Sequence, residues 1–181
     1  MIATKSLSVS STSARIALIL GFALLTGASS LMKIPLLFSP VPITLQTLVV
    51  MLAAVTLGKD GVWSQLVYLL GGVLASFGFA SGLPGIVPVV GPTGGYLLGF
   101  VGCAFLISTF VRPHWNELSY AKRVCALLLC SVAVFVPGMI QLSLVTGMSL
   151  SKAFMLGVLP FLPGDVLKSL LVAKSSSRMF V

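Results

Sequence analysis

The segment Pro160-Phe161-Leu162-Pro163-Gly164-Asp165-Val166-Leu167-Lys168 contains the two residues of this sequence whose side chains sit least comfortably among their neighbours. Asp165 and Lys168 stand three apart in an otherwise apolar run, a spacing that puts both on one face of a helix. Each costs roughly 2.5–3.5 kcal/mol at the centre of a bilayer on insertion scales, so such residues are rarely idle. Two uses fit. They can pair near a helix end and neutralise each other, or they can open into a pocket as one acceptor and one donor for a ligand.

A second constellation is Val90-Gly91-Pro92-Thr93-Gly94-Gly95-Tyr96. Thr93 is placed to cap a helix start, Gly94 and Gly95 permit close backbone approach, and the free amides of a helix N-terminus can donate to a ligand. The same residues would equally serve tight packing with no ligand. No GK[ST] follows and no strand precedes, so this is not a phosphate loop. Tyr96 offers an aromatic face with a polar tip, suited to a pocket wall or to the membrane interface. Thr44 and Gln46 open the second apolar run and can cap it or face a pocket. Gln65 and Gln141 suit hydrogen bonds between helices.

Catalytic chemistry finds little to work with. His114 and Glu117 have a metal-compatible spacing but no companion ligands, which leaves them as a solvated loop. Cys103, Cys125 and Cys130 form no CxxC pair and lie in apolar stretches, so neither a disulfide framework nor a metal site is expected. No paired carboxylates and no Ser/His/Asp set can be assembled, and neither enzymatic activity nor a cofactor is expected.

The elements that must position these groups are membrane helices. Hydrophobic residues make up 57% of the 181 and charged residues 8%, against about 25% charged in soluble domains, which excludes an ordinary soluble fold. Eleven Lys/Arg face three Asp/Glu, but the bases are scattered singly between apolar runs rather than clustered as nucleic acid would require. Six spans emerge, at residues 14–32, 43–58, 62–78, 93–111, 121–147 and 151–173. The first resembles a signal peptide, yet it lacks a good cleavage site and reads as a retained helix. The predicted organisation is a polar tail at 1–13, a six-helix membrane domain at 14–174 and a second tail at 175–181.

With the N-terminus in the cytoplasm, Lys5, Arg15, Lys59, Arg112, Lys122, Arg123, Lys174 and Arg178 fall inside, and only Lys33 and Lys152 fall outside. That bias sets the orientation, with both termini cytoplasmic in a cell membrane. Two predicted outer connections are apolar and rich in Pro or Gly, at residues 34–42 and 77–95. The first carries three prolines and reads as an extended, stiff segment. Together they suggest a lid over an outward-facing pocket. On the first span Ala17 and Gly21, and again Ala23 and Gly27, are small residues with three others between them, a pattern that admits close approach of another helix, whether within the chain or on a partner subunit.

Three segments taken together carry a family resemblance: Ser39-Pro40-Val41-Pro42-Ile43-Thr44-Leu45-Gln46-Thr47, Gly91-Pro92-Thr93-Gly94-Gly95-Tyr96-Leu97 and Leu159-Pro160-Phe161-Leu162-Pro163-Gly164-Asp165. They are similar to the BioY family, biotin-specific S components of energy-coupling-factor (ECF) transporters, and the match runs from about residue 14 to 174. The resemblance implies a six-helix S-component bundle that binds biotin from outside with high affinity for uptake. It also implies a membrane coupling subunit and cytoplasmic ATPases as partners, with ATP used only by them. The first helix, with Ala17, Gly21, Ala23 and Gly27, would be the docking face. Biotin offers two ureido N–H donors, a carbonyl, an apolar ring and a carboxylate. Asp165 would accept ureido N–H and Lys168 would donate to an oxygen of the ligand. Tyr96, Phe38 and Phe79 would wall the ring, with Thr93, Gly94, Thr44 and Gln46 as further contacts. An S component for another vitamin, or a solitary biotin carrier without ATPases, is the alternative.

Overall fold

The computed structural model describes residues 12–75 and 85–175. These residues form a helical bundle with one β-hairpin among them. The elements are α1 (Thr12–Ser29), β1 (Lys33–Leu36), β2 (Ser39–Thr44), α2 (Gln46–Leu57), α3 (Lys59–Ala75), α4 (Val87–Val90), α5 (Gly94–Leu106), α6 (Tyr120–Thr146), α7 (Leu150–Gly157) and α8 (Leu162–Val172). After α5 the chain continues through a π-helical turn, Ile107–Val111, and a 3₁₀ turn, Arg112–His114. Among the described residues, four helical stretches are long and apolar enough to cross a membrane: Thr12–Ser29, Gly94–His114, Tyr120–Thr146 and Leu150–Val172. With the shorter helices α2 and α3 they correspond to the six spans expected from the sequence.

The departures occur at prolines. The stretch at residues 34–42 is extended, as its prolines require, but it is folded into an antiparallel hairpin in which Lys33 pairs with Thr44 and Ile34 with Ile43, with a bulge around Pro35. Pairing reaches Thr44, so α2 starts at Gln46 and Thr44 closes a strand instead of opening a helix. At 12 residues, α2 is only about 18 Å long, well short of the ~30 Å hydrocarbon thickness. The hairpin extends the chain beyond α2, with its two strands paired to each other. The sixth span is also broken. Pro160 and Pro163 frame a 3₁₀ turn, Leu159–Phe161, between α7 and α8.

The core forms where α5 presses against α6. A Cβ on Gly99 would come 2.6 Å from the Ala133 carbonyl oxygen, so glycine is what lets the two backbones approach so closely. Ser119 and Ser149 begin α6 and α7 in extended conformation and accept from the amides of Lys122 and Lys152. Helix α1 is tied to α3 by a buried contact between Thr26 and Gln65, 3.4 Å apart, the helix-to-helix role expected of Gln65.

The bases collect at one end of the bundle. Arg15 grips Asp60 through both oxygens at 2.7 and 2.9 Å. Arg112 donates to the Val55 carbonyl at 3.1 Å. Arg123 lies 5.1 Å over the ring of buried Trp115 and donates to its carbonyl oxygen. The hairpin, with Lys33, belongs to the opposite end.

Candidate functional site

A cleft at the hairpin end encloses about 550 Å³ of free space, counted to its open mouth, within the range of small-molecule sites. Strand β2 contributes Val41, Pro42 and Thr44, and α2 contributes Gln46 and Thr47. The first turns of α5 supply Tyr96, Leu97 and Phe100, with Thr93 just before them. Val134 and Phe135 of α6, Phe161 and Lys168 complete the wall. The lining is mainly apolar, with a few polar groups converging on it.

Lys168 is 9% exposed. Its ammonium donates to the Thr44 carbonyl oxygen at 2.6 Å and to Thr47 Oγ1 at 2.8 Å. Both partners are neutral. The three acidic side chains of the sequence are Asp60, Glu117 and Asp165, and none stands within 4 Å of it: Asp60 pairs with Arg15 and Glu117 with His114. Lys168 therefore ties α8 to the end of the hairpin and retains one N–H for another oxygen.

Gln46, buried in the first turn of α2, is held from two directions. Its Nε2 donates to Tyr68 Oη of α3 at 2.6 Å, and its Oε1 accepts from Thr44 Oγ1 at 3.2 Å. These bonds fix which way the amide points and leave one N–H over. Two tilted aromatic pairs stiffen the apolar walls, Tyr68 with Phe100 at 6.4 Å between ring centres and Tyr96 with Phe161 at 6.3 Å. The Tyr96 hydroxyl donates to the Gly157 carbonyl oxygen at 2.8 Å, so only its ring is left for the cleft.

Thr93 does reach the cleft, but its hydroxyl does not cap α5. It donates backward to the Pro88 carbonyl oxygen at 3.1 Å, stabilising the turn before the helix. Gly94 lies beneath the lining. A Cβ there would run into the Val89 carbonyl and stand 2.5 Å from Gln141 Nε2. Gln141 donates to the Val89 and Gly91 carbonyl oxygens at 2.7 and 2.8 Å, so it fastens α6 to the loop before α5.

Asp165 and Lys168 are both buried, yet they do not form a pair. Asp165 is 2% exposed and faces a second cavity between α6, α7 and α8, lined by Ser131, Met139, Phe154 and Val158. Phe135 belongs to both cavities. Ser131 Oγ lies 2.6 Å from Asp165 Oδ2, while Oδ1 is buried without a hydrogen-bond partner. Phe38 sits exposed at the hairpin tip, away from the cleft lining. Phe79 lies outside the described residues.

The small residues of α1 divide between two faces. Ala17 and Gly21 are exposed, with open space around Gly21, whereas Ala23 and Gly27 turn inward and wall an apolar groove with Gly71 and Gly72 of α3. Thr47, Tyr68, Phe100, Phe135 and Ser131 were not picked out from the sequence. They lie in continuous apolar runs, and only the packing of separate helices selects them.

Helices of membrane-spanning length around a mainly apolar cleft, with the buried Lys168 in its wall, define a membrane protein built to hold a small ligand. The fold matches the solved structure of the S-component for biotin from an ECF-type ABC transporter, with a TM-score of 0.77 and 26% identity over 91% of each chain. The BioY family model matches residues 3–180, and the chain belongs to the BioY family. It is 37% identical over 139 residues to the probable biotin transporter BioY of Pyrococcus horikoshii, covering 76% of this chain and 79% of that protein. It is 32% identical over 158 residues to the biotin transporter BioY of Rhizobium etli, covering 83% and 84%.

Proposed function

We propose that this chain binds biotin in the cleft and serves as the substrate-binding subunit of an ECF-type transporter. The observation that carries the choice of site is Lys168, a buried ammonium without a carboxylate partner, bonded to two neutral oxygens and holding an N–H in reserve. A buried cation whose hydrogen-bond partners are both neutral favours a ligand with an oxygen acceptor, above all an anionic one. Biotin has both a ureido carbonyl and a carboxylate, and its apolar ring suits the walls formed by Tyr96, Phe100 and Phe161. Gln46 offers its spare N–H. Asp165 accepts from the ureido N–H groups once Phe135, the wall shared by the two cavities, turns aside.

The basic end of the bundle faces the cytoplasm, with both termini, and the cleft opens outward. The exposed Ala17–Gly21 face of α1 docks onto a membrane coupling subunit, and ATP hydrolysis by partner subunits drives inward release. The chain itself catalyses no reaction and holds no cofactor.

The test is equilibrium binding of labelled biotin to the detergent-purified chain, with other vitamins as competitors, followed by uptake into vesicles containing the partner subunits. Selective binding and ATP-dependent uptake are expected. A folded preparation that binds no biotin sinks the ligand assignment, and uptake that proceeds equally without ATP sinks the mechanism.

A further inference from the structure

A serine hydroxyl has one proton to donate, and Ser131 Oγ stands close to two oxygens. The Leu128 carbonyl oxygen, one turn back on α6, is 2.8 Å away, and Asp165 Oδ2, across the contact with α8, is 2.6 Å away. Both distances are those of real O–H···O bonds. If Asp165 is ionised, both neighbours are acceptors, and one short oxygen–oxygen contact is left without a hydrogen. One added proton resolves the conflict. Asp165 Oδ2–H then donates to Ser131 Oγ, and Ser131 donates its own proton to the Leu128 carbonyl.

The surroundings agree with a neutral acid. Ser131 and Asp165 are each 2% exposed, and Asp165 Oδ1 is buried without a partner, a condition far less costly for a neutral oxygen than for a carboxylate. Lys168, on α8 itself, spends its short bonds on Thr44 and Thr47. The other titratable groups nearby are the thiols of Cys103 on α5 and Cys130 on α6. Helix α7 and the residue that follows it bring only apolar side chains to this cavity, Phe154 and Val158.

We propose that Asp165 is a proton-binding site of the unliganded protein, with Ser131 as the residue that positions the proton by relaying the bond to the Leu128 carbonyl. Oδ1 is the oxygen left open to a ligand. Hydrogen bonds from ligand N–H groups favour a carboxylate over an acid, so a ligand that reaches Asp165 displaces the proton to water. Affinity then rises by up to about tenfold per pH unit wherever the free protein is protonated and the complex is not. That consequence rests on the biotin reading; the proton site does not.

Infrared spectroscopy of the full-length, unliganded chain at neutral pH tests the site directly. The sequence has three acidic side chains, so a protonated-carboxyl C=O band is easily assigned. The band is expected in the wild type, absent in Asp165→Asn, and shifted to higher frequency in Ser131→Ala, where the acid loses its acceptor. Isotope labelling of aspartate moves the band in the wild type and excludes Glu117, and Asp60 is held as a carboxylate by Arg15, which keeps the assignment independent of whether the variants fold. A wild-type spectrum without the band overturns the proposal. Adding biotin separates the two claims: a band with no biotin binding sinks only the ligand reading, and bound biotin with an unchanged band overturns proton release.

Discussion

Replacing Lys168 by Met removes the buried charge while keeping a flexible side chain of similar length. The wild-type ammonium makes bonds of 2.6 and 2.8 Å to Thr44 and Thr47 and has one N–H to give to biotin. A hydrogen bond to a charged group contributes about 1.5–3 kcal/mol, so the variant should bind biotin roughly ten- to hundredfold more weakly. Stability should respond differently. Two acceptors lose their donor, at about 1–3 kcal/mol each, but a buried ion whose desolvation costs several kcal/mol is removed as well. The terms oppose each other, and Tm should move by less than about 5 °C. Thr47→Val is the control, because it keeps the charge and removes only one internal partner; its affinity should stay close to that of the wild type. Titration calorimetry and thermal unfolding of the three purified proteins decide the matter. A folded Lys168→Met protein with unchanged affinity refutes the assignment of the cleft, and an equal loss in Thr47→Val shows that Lys168 acts through its bond to α2 and not on the ligand.

Tyr68→Phe removes the acceptor of the 2.6 Å bond from Gln46 and should destabilise the protein by about 1–3 kcal/mol, with faster biotin release in a chase experiment because the Gln46 amide is no longer fixed. Gly94→Ala forces a methyl group against the Val89 carbonyl and Gln141 Nε2; overpacking of this kind costs about 1–3 kcal/mol, visible as a lower Tm. Gly21→Leu points into open space, so biotin binding by the isolated chain should be unchanged while ATP-driven uptake with the partner subunits is lost. Uptake that survives that variant would remove the outer face of α1 as the docking surface.

The crossings were legible in the sequence because lipid demands long apolar runs and because Lys and Arg mark their ends. Lys168 stood out for the same reason, as a charge within a span. Its partners did not. Thr47 is one more small polar residue near a helix start, and its contact with Lys168 joins positions 121 apart in the chain, a separation that no local spacing encodes. Helical geometry correctly put Asp165 and Lys168 on one buried face, but a shared face does not mean a shared cavity. Two residues one turn apart can line different cavities, and Phe135 belongs to the wall of both. The hairpin was missed because prolines announce extended backbone without saying which strand, if any, will pair with it.

The same proline-bearing segment explains why the cleft sits where it does. Had residues 39–45 continued α2 outward as helix, their backbone oxygens would be spent on internal bonds. As the end of a strand, Thr44 presents a carbonyl oxygen sideways, and Lys168 takes it at 2.6 Å. The Thr44 hydroxyl bonds Gln46, and Gln46 bonds Tyr68, so a continuous chain of hydrogen bonds runs from α8 through the hairpin to α3. Tyr68 also walls the groove that Ala23 and Gly27 form with α3. A short helix completed by a hairpin therefore joins the cleft, its covering loop and the inner face of α1 in one network, the arrangement a carrier needs if occupancy of the cleft is to be sensed at its membrane-facing surface.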